Sequence, residues 1–451
     1  MTSISREEAP APGDHGAAPS LKRVITSSAI GQFVEFYDFV IYAYSAAVLA
    51  KLFFPSEDPV AGVLSVFAVY AVGFAIRPIG GIVFGLLGDK IGRRRVLVLV
   101  IVMMGAGTMA IGLLPTYEQI GILAPVLLVL CRLLQGFSAA GETMTSNAFV
   151  AEHSPRGKRG LYVSFTYSFT TLPSVAAAII VWALIAGLGT EAYESWGWRI
   201  AFLIGGPMAL VGLYIRSKIS ESPVFEAAKA AEDETQVARS SSKKAIIQAL
   251  ALSAVGALGF YTLSGYMVSY LTTTVELPQD QALISNGIAL TIAFVSFWLG
   301  GALGDRFGRR PVLFAMIAAA IVLYLPAFWL AGNATFWGAL TGQSVIGVIF
   351  GMFYGVFAVR ILESFSTHNR VSGTVICFNV SYTVFGGTAP LISTWLITQT
   401  GLLFAPAIYM VVLAVVVLLV VIALKMPETA GRSMLHADDV GGSPELQEVR
   451  H

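Results

Sequence analysis

Charged residues are scarce in this chain. Asp, Glu, Lys and Arg together make up 12% of its 451 residues, whereas a soluble globular domain carries about 25%. So little charge cannot cover the surface of a water-soluble protein of this length, which excludes cytoplasmic enzymes, nucleic-acid binders and disordered proteins. The sequence contains only two cysteines, Cys131 and Cys377, so a disulfide scaffold is also excluded.

Long uncharged runs dominate the second half of the chain. Residues 311–359 and 371–424 contain no Asp, Glu, Lys or Arg, and each run is more than twice the ~20 residues that a helix needs to cross a bilayer. Each run therefore predicts two membrane spans joined by a turn. Applied to the whole chain, the pattern predicts an all-α membrane protein with twelve transmembrane helices. The spans are expected near residues 24–50, 61–87, 96–114, 120–150, 161–188, 200–218, 245–273, 283–304, 311–331, 335–361, 371–398 and 403–425.

The basic residues predict the orientation of these spans. All Lys and Arg except Lys51, Arg77, Arg132 and Arg199 lie before the first span, in alternate loops, or after the last span. Twelve alternating spans place all of these basic segments on one side of the membrane, which the positive-inside rule makes cytoplasmic. We therefore expect a multi-pass protein of the cytoplasmic (inner) membrane, surrounded by lipid, with both termini and the 216–244 loop in the cytoplasm.

The two halves of the sequence repeat each other. Residues 85–94 read GLLGDKIGRR, and residues 301–310 read GALGDRFGRR. A glutamate and an arginine seven residues apart also recur in each half. Two homologous six-helix bundles are a plan that secondary transporters use, with a site between the bundles. The expected divisions are a disordered cytoplasmic N-terminus at 1–20, bundles at 21–219 and 245–426, a cytoplasmic linker at 220–244 and a cytoplasmic tail at 427–451.

The repeated elements predict a cytoplasmic gate. Glycines let helices turn sharply and approach closely, and arginines can bind carboxylates or the carbonyl groups at helix ends. The alternative is a basic loop that only sets topology, but topology does not require the repeated Gly-Asp-Gly spacing. The predicted gate residues are Asp89, Arg93, Arg94, Glu142, Glu152, Arg159, Asp305, Arg309, Arg310, Glu363 and Arg370.

Charged side chains inside the membrane predict the substrate and proton sites. Each central charge costs about 2.5–3.5 kcal/mol on insertion scales, so such residues pair, face water, or both. Because no predicted span contains histidine, a coupled proton would be carried by Glu35 or Asp38. Structural ion pairing and plain aromatic packing are the alternatives. The predicted substrate-binding residues are Arg77, Arg132, Tyr42, Tyr261, Tyr266, Asn379 and Tyr382.

Several motifs resemble the major facilitator superfamily and, within it, the metabolite:proton symporter branch. The two decapeptides are similar to the superfamily signature. GQFVEFYDF, GFAIRPIGG, RLLQGFSAAGE and WGWRI, in or beside spans one, two, four and six, are similar to the branch. The resemblance implies the major facilitator fold, alternating access and proton symport.

The branch includes carriers of different substrates. The stretches FYTLSGYMVSYL and FGGTAP are more similar to its organic-acid members, which favours a di- or tricarboxylate-like substrate. The alternative is a zwitterionic osmolyte such as proline or betaine, held by aromatic faces through cation–π contacts. The sequence contains no nucleotide-binding loop and no metal-ligand cluster. We therefore expect no cofactor, no metal and no enzymatic activity, and a protein that functions as a monomer.

Overall fold

A computed structural model describes residues 21–91, 93–139, 142–217, 243–365 and 370–431. The predictions for residues 1–20, for nearly all of the linker and for most of the tail lie outside these ranges. Within them every regular element is a helix.

The helices form the twelve predicted spans, and six belong to each half. In the first half, span 1 is Leu21–Tyr44 with Ala46–Phe53, span 2 is Pro59–Ala75 with Arg77–Ile91, span 3 is Arg93–Leu113, span 4 is Leu123–Ser138 with Glu142–His153, span 5 is Arg159–Ser168 with Leu172–Leu188, and span 6 is Trp198–Leu203 with Gly205–Ser217. In the second half, span 7 begins with Lys243–Tyr261, span 8 is Gln279–Phe307, span 9 is Arg309–Ala331, span 10 is Phe336–Leu362, span 11 is Arg370–Ser381 with Ala389–Thr400, and span 12 is Ala405–Ala423. Of the described helices, nine are long and apolar enough to cross a membrane by themselves, and ten if bent span 1 counts as one.

Several spans are interrupted along their length. Span 1 bends by 65° between Tyr44 and Ala46. Span 2 breaks at Ile76, two residues before Pro78, because proline has no backbone N–H to donate to the carbonyl group of Phe74. The hydroxyl of Thr383 in span 11 donates to that carbonyl oxygen at 3.0 Å. The hydrogen bond at this break therefore connects the first half to the second.

Span 7 departs from regular α-helical geometry in two places. After Tyr261 it contains the π-helical turns Thr262–Tyr266 and Tyr270–Thr274. Such turns leave carbonyl groups without their usual partners and often occur at functional sites. Here the carbonyl oxygen of Leu263 accepts a hydrogen bond from the Asn286 side chain of span 8 at 2.8 Å.

Spans 5 and 8 pack against each other at the end of the protein that carries the basic loops. A Cβ atom on Gly301 would lie 2.6 Å from the carbonyl oxygen of Gly160, and one on Gly160 would lie 2.7 Å from that of Gly301. Only glycine permits such a close backbone approach. Gly301, the first glycine of the second decapeptide, therefore allows the two halves to approach closely.

Candidate substrate and gating sites

Arg132 in span 4 is fully buried and held in place by a chain of hydrogen bonds. Its Nη1 donates to Gln135 Oε1 at 2.9 Å, and Gln135 Nε2 donates to Thr108 Oγ1 of span 3 at 2.7 Å. The hydroxyl of Thr108 then donates to the Met104 carbonyl oxygen at 3.1 Å. Arg132 Nε and Nη2 have no hydrogen-bond partner in the described part of the chain. The guanidinium is therefore fixed and still has two donors to offer.

Arg77 in span 2 is held mainly by aromatic rings. Its Cζ lies 4.0 Å from the centre of the Phe74 ring and 4.1 Å from that of Phe39, within the ~6 Å range of cation–π attraction. It also interacts with the hydroxyl of Tyr261 in span 7. No carboxylate of the described residues lies within ion-pair distance of Arg77 or Arg132.

Aromatic rings connect the two arginines in one cluster. The Cζ of Arg132 lies 4.2 Å from the centre of the Tyr42 ring, 5.0 Å from that of Tyr70 and 5.1 Å from that of Phe39. Phe74 contacts three other rings of the cluster, at centroid distances of 5.0 to 5.1 Å. We call this set the aromatic cluster: Phe39, Tyr42, Tyr70, Phe74 and Tyr261. It brings together spans 1, 2 and 7, and therefore both halves.

The two acids of span 1 have different surroundings. Asp38 is 3% exposed; it interacts with the hydroxyl of Thr108 and, electrostatically, with Arg132. Its Oδ2 has no hydrogen-bond partner in the described ranges. Glu35 is also buried and interacts electrostatically with the hydroxyls of Tyr167 and Tyr261. Asp38 is therefore connected electrostatically to Arg132.

The other predicted substrate residues lie at different distances from this cluster. Tyr382 contacts Tyr261 at a ring distance of 5.7 Å and its hydroxyl also meets those of Tyr167 and Tyr354. Tyr266 contacts Phe67 and Tyr270 on the side away from the basic loops. Asn379 is buried one turn before Tyr382, and no described contact joins it to either arginine.

A neutral hydrogen-bond network links the spans on the side of the protein away from the basic loops. The hydroxyl of Tyr44 donates to Asn286 Oδ1 at 2.5 Å, which links spans 1 and 8. Asn286 Nδ2 donates to Gln343 Oε1 at 2.7 Å, and Gln343 Nε2 donates to Ser285 Oγ at 2.9 Å. All four side chains are buried. These contacts connect spans 1, 8 and 10 on that side of the aromatic cluster.

An ionic network links the halves on the opposite side. Asp305 accepts hydrogen bonds from the backbone N–H groups of Gly160 and Leu161, at 2.9 and 2.8 Å, and pairs with Arg309 at 2.7 Å. Glu363 pairs across the halves with Arg159 at 3.2 Å and within its own half with Arg309 at 3.4 Å. We call these four side chains the ionic lock: Arg159, Asp305, Arg309 and Glu363. The ionic lock thus links the two halves on the side of the basic loops, as the Tyr44–Asn286 contact does on the other side.

The segment after span 12 is attached to this lock. The hydroxyl of Thr429 donates to Glu363 Oε2 at 2.8 Å. The carboxylate of Glu428 accepts the N–H groups of Arg309 and Arg310, at 2.8 and 3.0 Å, at the start of span 9. Burial raises the pKa of Glu428, but the backbone N–H groups of Ala430, Arg310, Arg309 and Thr429 outweigh it, so that pKa lies below its usual value.

The predicted gate residues of the first half are less completely described. Arg159 lies in the ionic lock, and Glu152 is exposed to solvent. The glutamate of the second half pairs with the arginine of the first, 204 residues away. The side chains of Asp89, Arg93, Arg94, Glu142 and Arg370 lie outside the described residues, so the structure provides no contacts for them.

Four members of the site were not predicted from the sequence. Phe39, Tyr70 and Phe74 were not singled out for binding, although Tyr70 and Phe74 stand at i and i+4 just before Arg77 and so share a helix face. Gln135 was also missed. A glutamine three residues after a buried arginine in an apolar helix could have identified it.

Comparison with known proteins identifies the family. Residues 28–378 match the Major Facilitator Superfamily. A proline/betaine transporter of Salmonella typhimurium is 35% identical over 444 residues, which cover 95% of this chain and 88% of that protein. A glycine betaine/proline/ectoine/pipecolic acid transporter of Dickeya dadantii is 34% identical and covers 96% and 89% of the two chains.

Solved structures agree on the fold. A D-xylose-proton symporter superposes with a TM-score of 0.69 at 19% sequence identity, covering 92% of this chain and all of that one. A bacterial homologue of the lysosomal transporter Spinster superposes with a TM-score of 0.64 at 16% identity, covering 93% of this chain and 99% of that one. The predicted twelve-helix architecture in two bundles is thus confirmed, and with it a transporter rather than an enzyme. The chain belongs to the major facilitator superfamily.

Proposed function

We propose that this transporter takes up a small zwitterion of the proline or betaine type together with protons. The observation that carries the proposal is the fixed, buried Arg132, with two unused nitrogens beside aromatic rings. Its guanidinium suits a carboxylate, and ring faces suit a quaternary or secondary ammonium group. Both ends of a zwitterion therefore have a complementary group.

The relatives favour this substrate over the organic acid that the sequence stretches favoured. Proteins that are 34–35% identical over nearly the whole chain are named as transporters of proline and betaine. A second carboxylate would also require a second cation fixed by hydrogen bonds, whereas Arg77 lies against rings. Transport of a di- or tricarboxylate is therefore the alternative result of the uptake test.

Uptake into proteoliposomes tests the proposal. The purified full chain is reconstituted, an inward proton gradient is imposed, and accumulation of radiolabelled proline and glycine betaine is measured with and without a protonophore. We expect both zwitterions to accumulate, and the protonophore to abolish accumulation. Accumulation of succinate or citrate, with no uptake of either zwitterion, would contradict the proposal and support the organic acid.

We propose Asp38 as the residue that carries the proton. Its buried carboxylate interacts electrostatically with Arg132, so a substrate carboxylate that binds this guanidinium changes the affinity of Asp38 for a proton. Asp38→Asn should reduce gradient-driven accumulation at least about tenfold, yet preserve exchange of labelled for unlabelled substrate, which moves no net proton. Glu35→Gln is the matched comparison. If only Glu35→Gln separates accumulation from exchange, Glu35 carries the proton.

The proposed orientation keeps both termini and the linker cytoplasmic. The exposed tryptophans Trp182, Trp196, Trp329, Trp337 and Trp395 lie at or near the ends of spans on the side away from the basic loops. Tryptophan is enriched at membrane interfaces, and basic loops are enriched on the cytoplasmic side. This pattern supports an inner-membrane protein whose ionic lock faces the cytoplasm and whose Tyr44–Asn286 network faces the opposite compartment.

A further inference from the structure

The two buried arginines are held in different ways. Arg132 donates to Gln135, which in turn donates to Thr108. Arg77 has ring contacts on Phe39 and Phe74 and an interaction with the Tyr261 hydroxyl. Hydrogen bonds to charged groups are directional and fix a guanidinium in place, whereas attraction to a ring face leaves the cation free to slide or exchange.

Arg77 occupies a face that a substrate cation would use. Its Cζ is 4.0 Å from the centre of the Phe74 ring, and this ring adjoins both Tyr70 and Tyr261, at 5.1 and 5.0 Å. A ring whose neighbours are also aromatic is the surface that recognises quaternary ammonium groups. In this structure that surface is already covered by a cation belonging to the protein.

Repulsion between the two arginines adds to this competition. Both guanidinium groups approach the Phe39 ring, Arg77 at 4.1 Å and Arg132 at 5.1 Å, and two like charges this close together repel each other. A carboxylate bound to Arg132 would relieve this repulsion, but the ammonium group of the same substrate would then compete with Arg77 for the rings.

We infer that Arg77 is an internal competitor for the ammonium group of the substrate, and that only Arg132 binds its carboxylate. Binding is then an exchange of cations: the ammonium group takes the Phe74 face while Arg77 leaves it. Arg77 thereby raises the concentration at which cations without a carboxylate bind, because such ligands must displace Arg77 without the compensating contact to Arg132. This inference rests on the proposed zwitterion transport and assigns opposite effects to two arginines that sequence reasoning treated alike.

Competition by choline, which has the ammonium group of betaine but no carboxylate, tests the inference. Binding of radiolabelled glycine betaine to the purified full chain is measured with increasing choline. Arg77→Gln should lower the choline concentration for half-inhibition at least about tenfold (about 1.4 kcal/mol). Arg77→Lys keeps a cation at the ring and should stay within about threefold of wild type.

A second variant keeps the test decisive if Arg77→Gln folds poorly. Phe74→Leu removes the ring face and should weaken choline competition about tenfold, while Phe84→Leu, in the same span but outside the aromatic cluster, should not. If the wild-type chain binds betaine but choline competes no better in Arg77→Gln than in wild type, the inference about Arg77 is overturned and the proposed function stands. If the wild-type chain binds neither betaine nor proline, the proposed function falls, and the inference with it.

Discussion

Replacing Arg132 by glutamine should weaken substrate binding at least about a hundredfold, which is about 2.7 kcal/mol. The variant removes a buried guanidinium that is hydrogen-bonded in place beside the aromatic cluster and still has unused donors. The proposed substrate carboxylate would then enter a buried site without the guanidinium that binds it, which is costly for a charged group.

Arg132→Lys should recover only part of this loss. A lysine keeps the charge but cannot reproduce the planar two-pronged donor geometry, and it would not reach both Gln135 and a carboxylate. We expect binding about tenfold weaker than wild type. Equilibrium binding of radiolabelled betaine to the purified chain measures both variants.

A second arginine provides the matched control for Arg132. Arg199 donates to the carbonyl oxygens of Gly112 and Leu114 at 3.0 and 2.6 Å, away from the aromatic cluster. Arg199→Gln should leave the dissociation constant unchanged within about twofold. Equal losses in the Arg132 and Arg199 variants would mean that either change only damages the fold, and the carboxylate role of Arg132 would be lost.

The architecture could be predicted because it depends on local sequence. Residues 311–359 and 371–424 have no charge, and a bilayer accepts such segments only as helices, whose backbone groups are paired internally. The interruptions were less accessible. Pro78 accounts for the break in span 2, but the 65° bend after Tyr44 follows no proline or glycine and depends on what surrounds it.

The charged residues of the candidate site could be predicted from the sequence, but the contacts that they make could not. Glu35, Asp38, Arg77 and Arg132 stand out because intramembrane charges are costly. Which ring covers Arg77 depends on how spans 1 and 2 are rotated about their axes, and periodicity within one helix does not determine this. For the same reason the spacing of Glu363 and Arg370 could not show that Glu363 pairs with Arg159 of the other half.

The ionic lock should be the second most sensitive feature of the molecule. Glu363 holds three partners at once: Arg159 of the first half, Arg309 of its own half and Thr429 after span 12. Glu363→Gln removes the charge and leaves two buried arginines with less compensation, which for buried pairs costs about 3–5 kcal/mol. Because one of these pairs joins the halves, the loss falls on the closed conformation rather than on the separate bundles.

A cysteine in place of Ser164 reports opening of this side. Ser164 is fully buried beside Gly301, between spans 5 and 8. In a background with Cys131 and Cys377 replaced by alanine, a maleimide should label Ser164→Cys slowly, and Glu363→Gln should speed the labelling at least tenfold, roughly a 1.4 kcal/mol shift toward the open state. Glu194→Gln breaks an exposed pair with Lys51, and because such surface pairs contribute little, labelling should not change. If Ser164→Cys is labelled at the same rate with and without the Glu363→Gln change, the ionic lock does not hold the halves together.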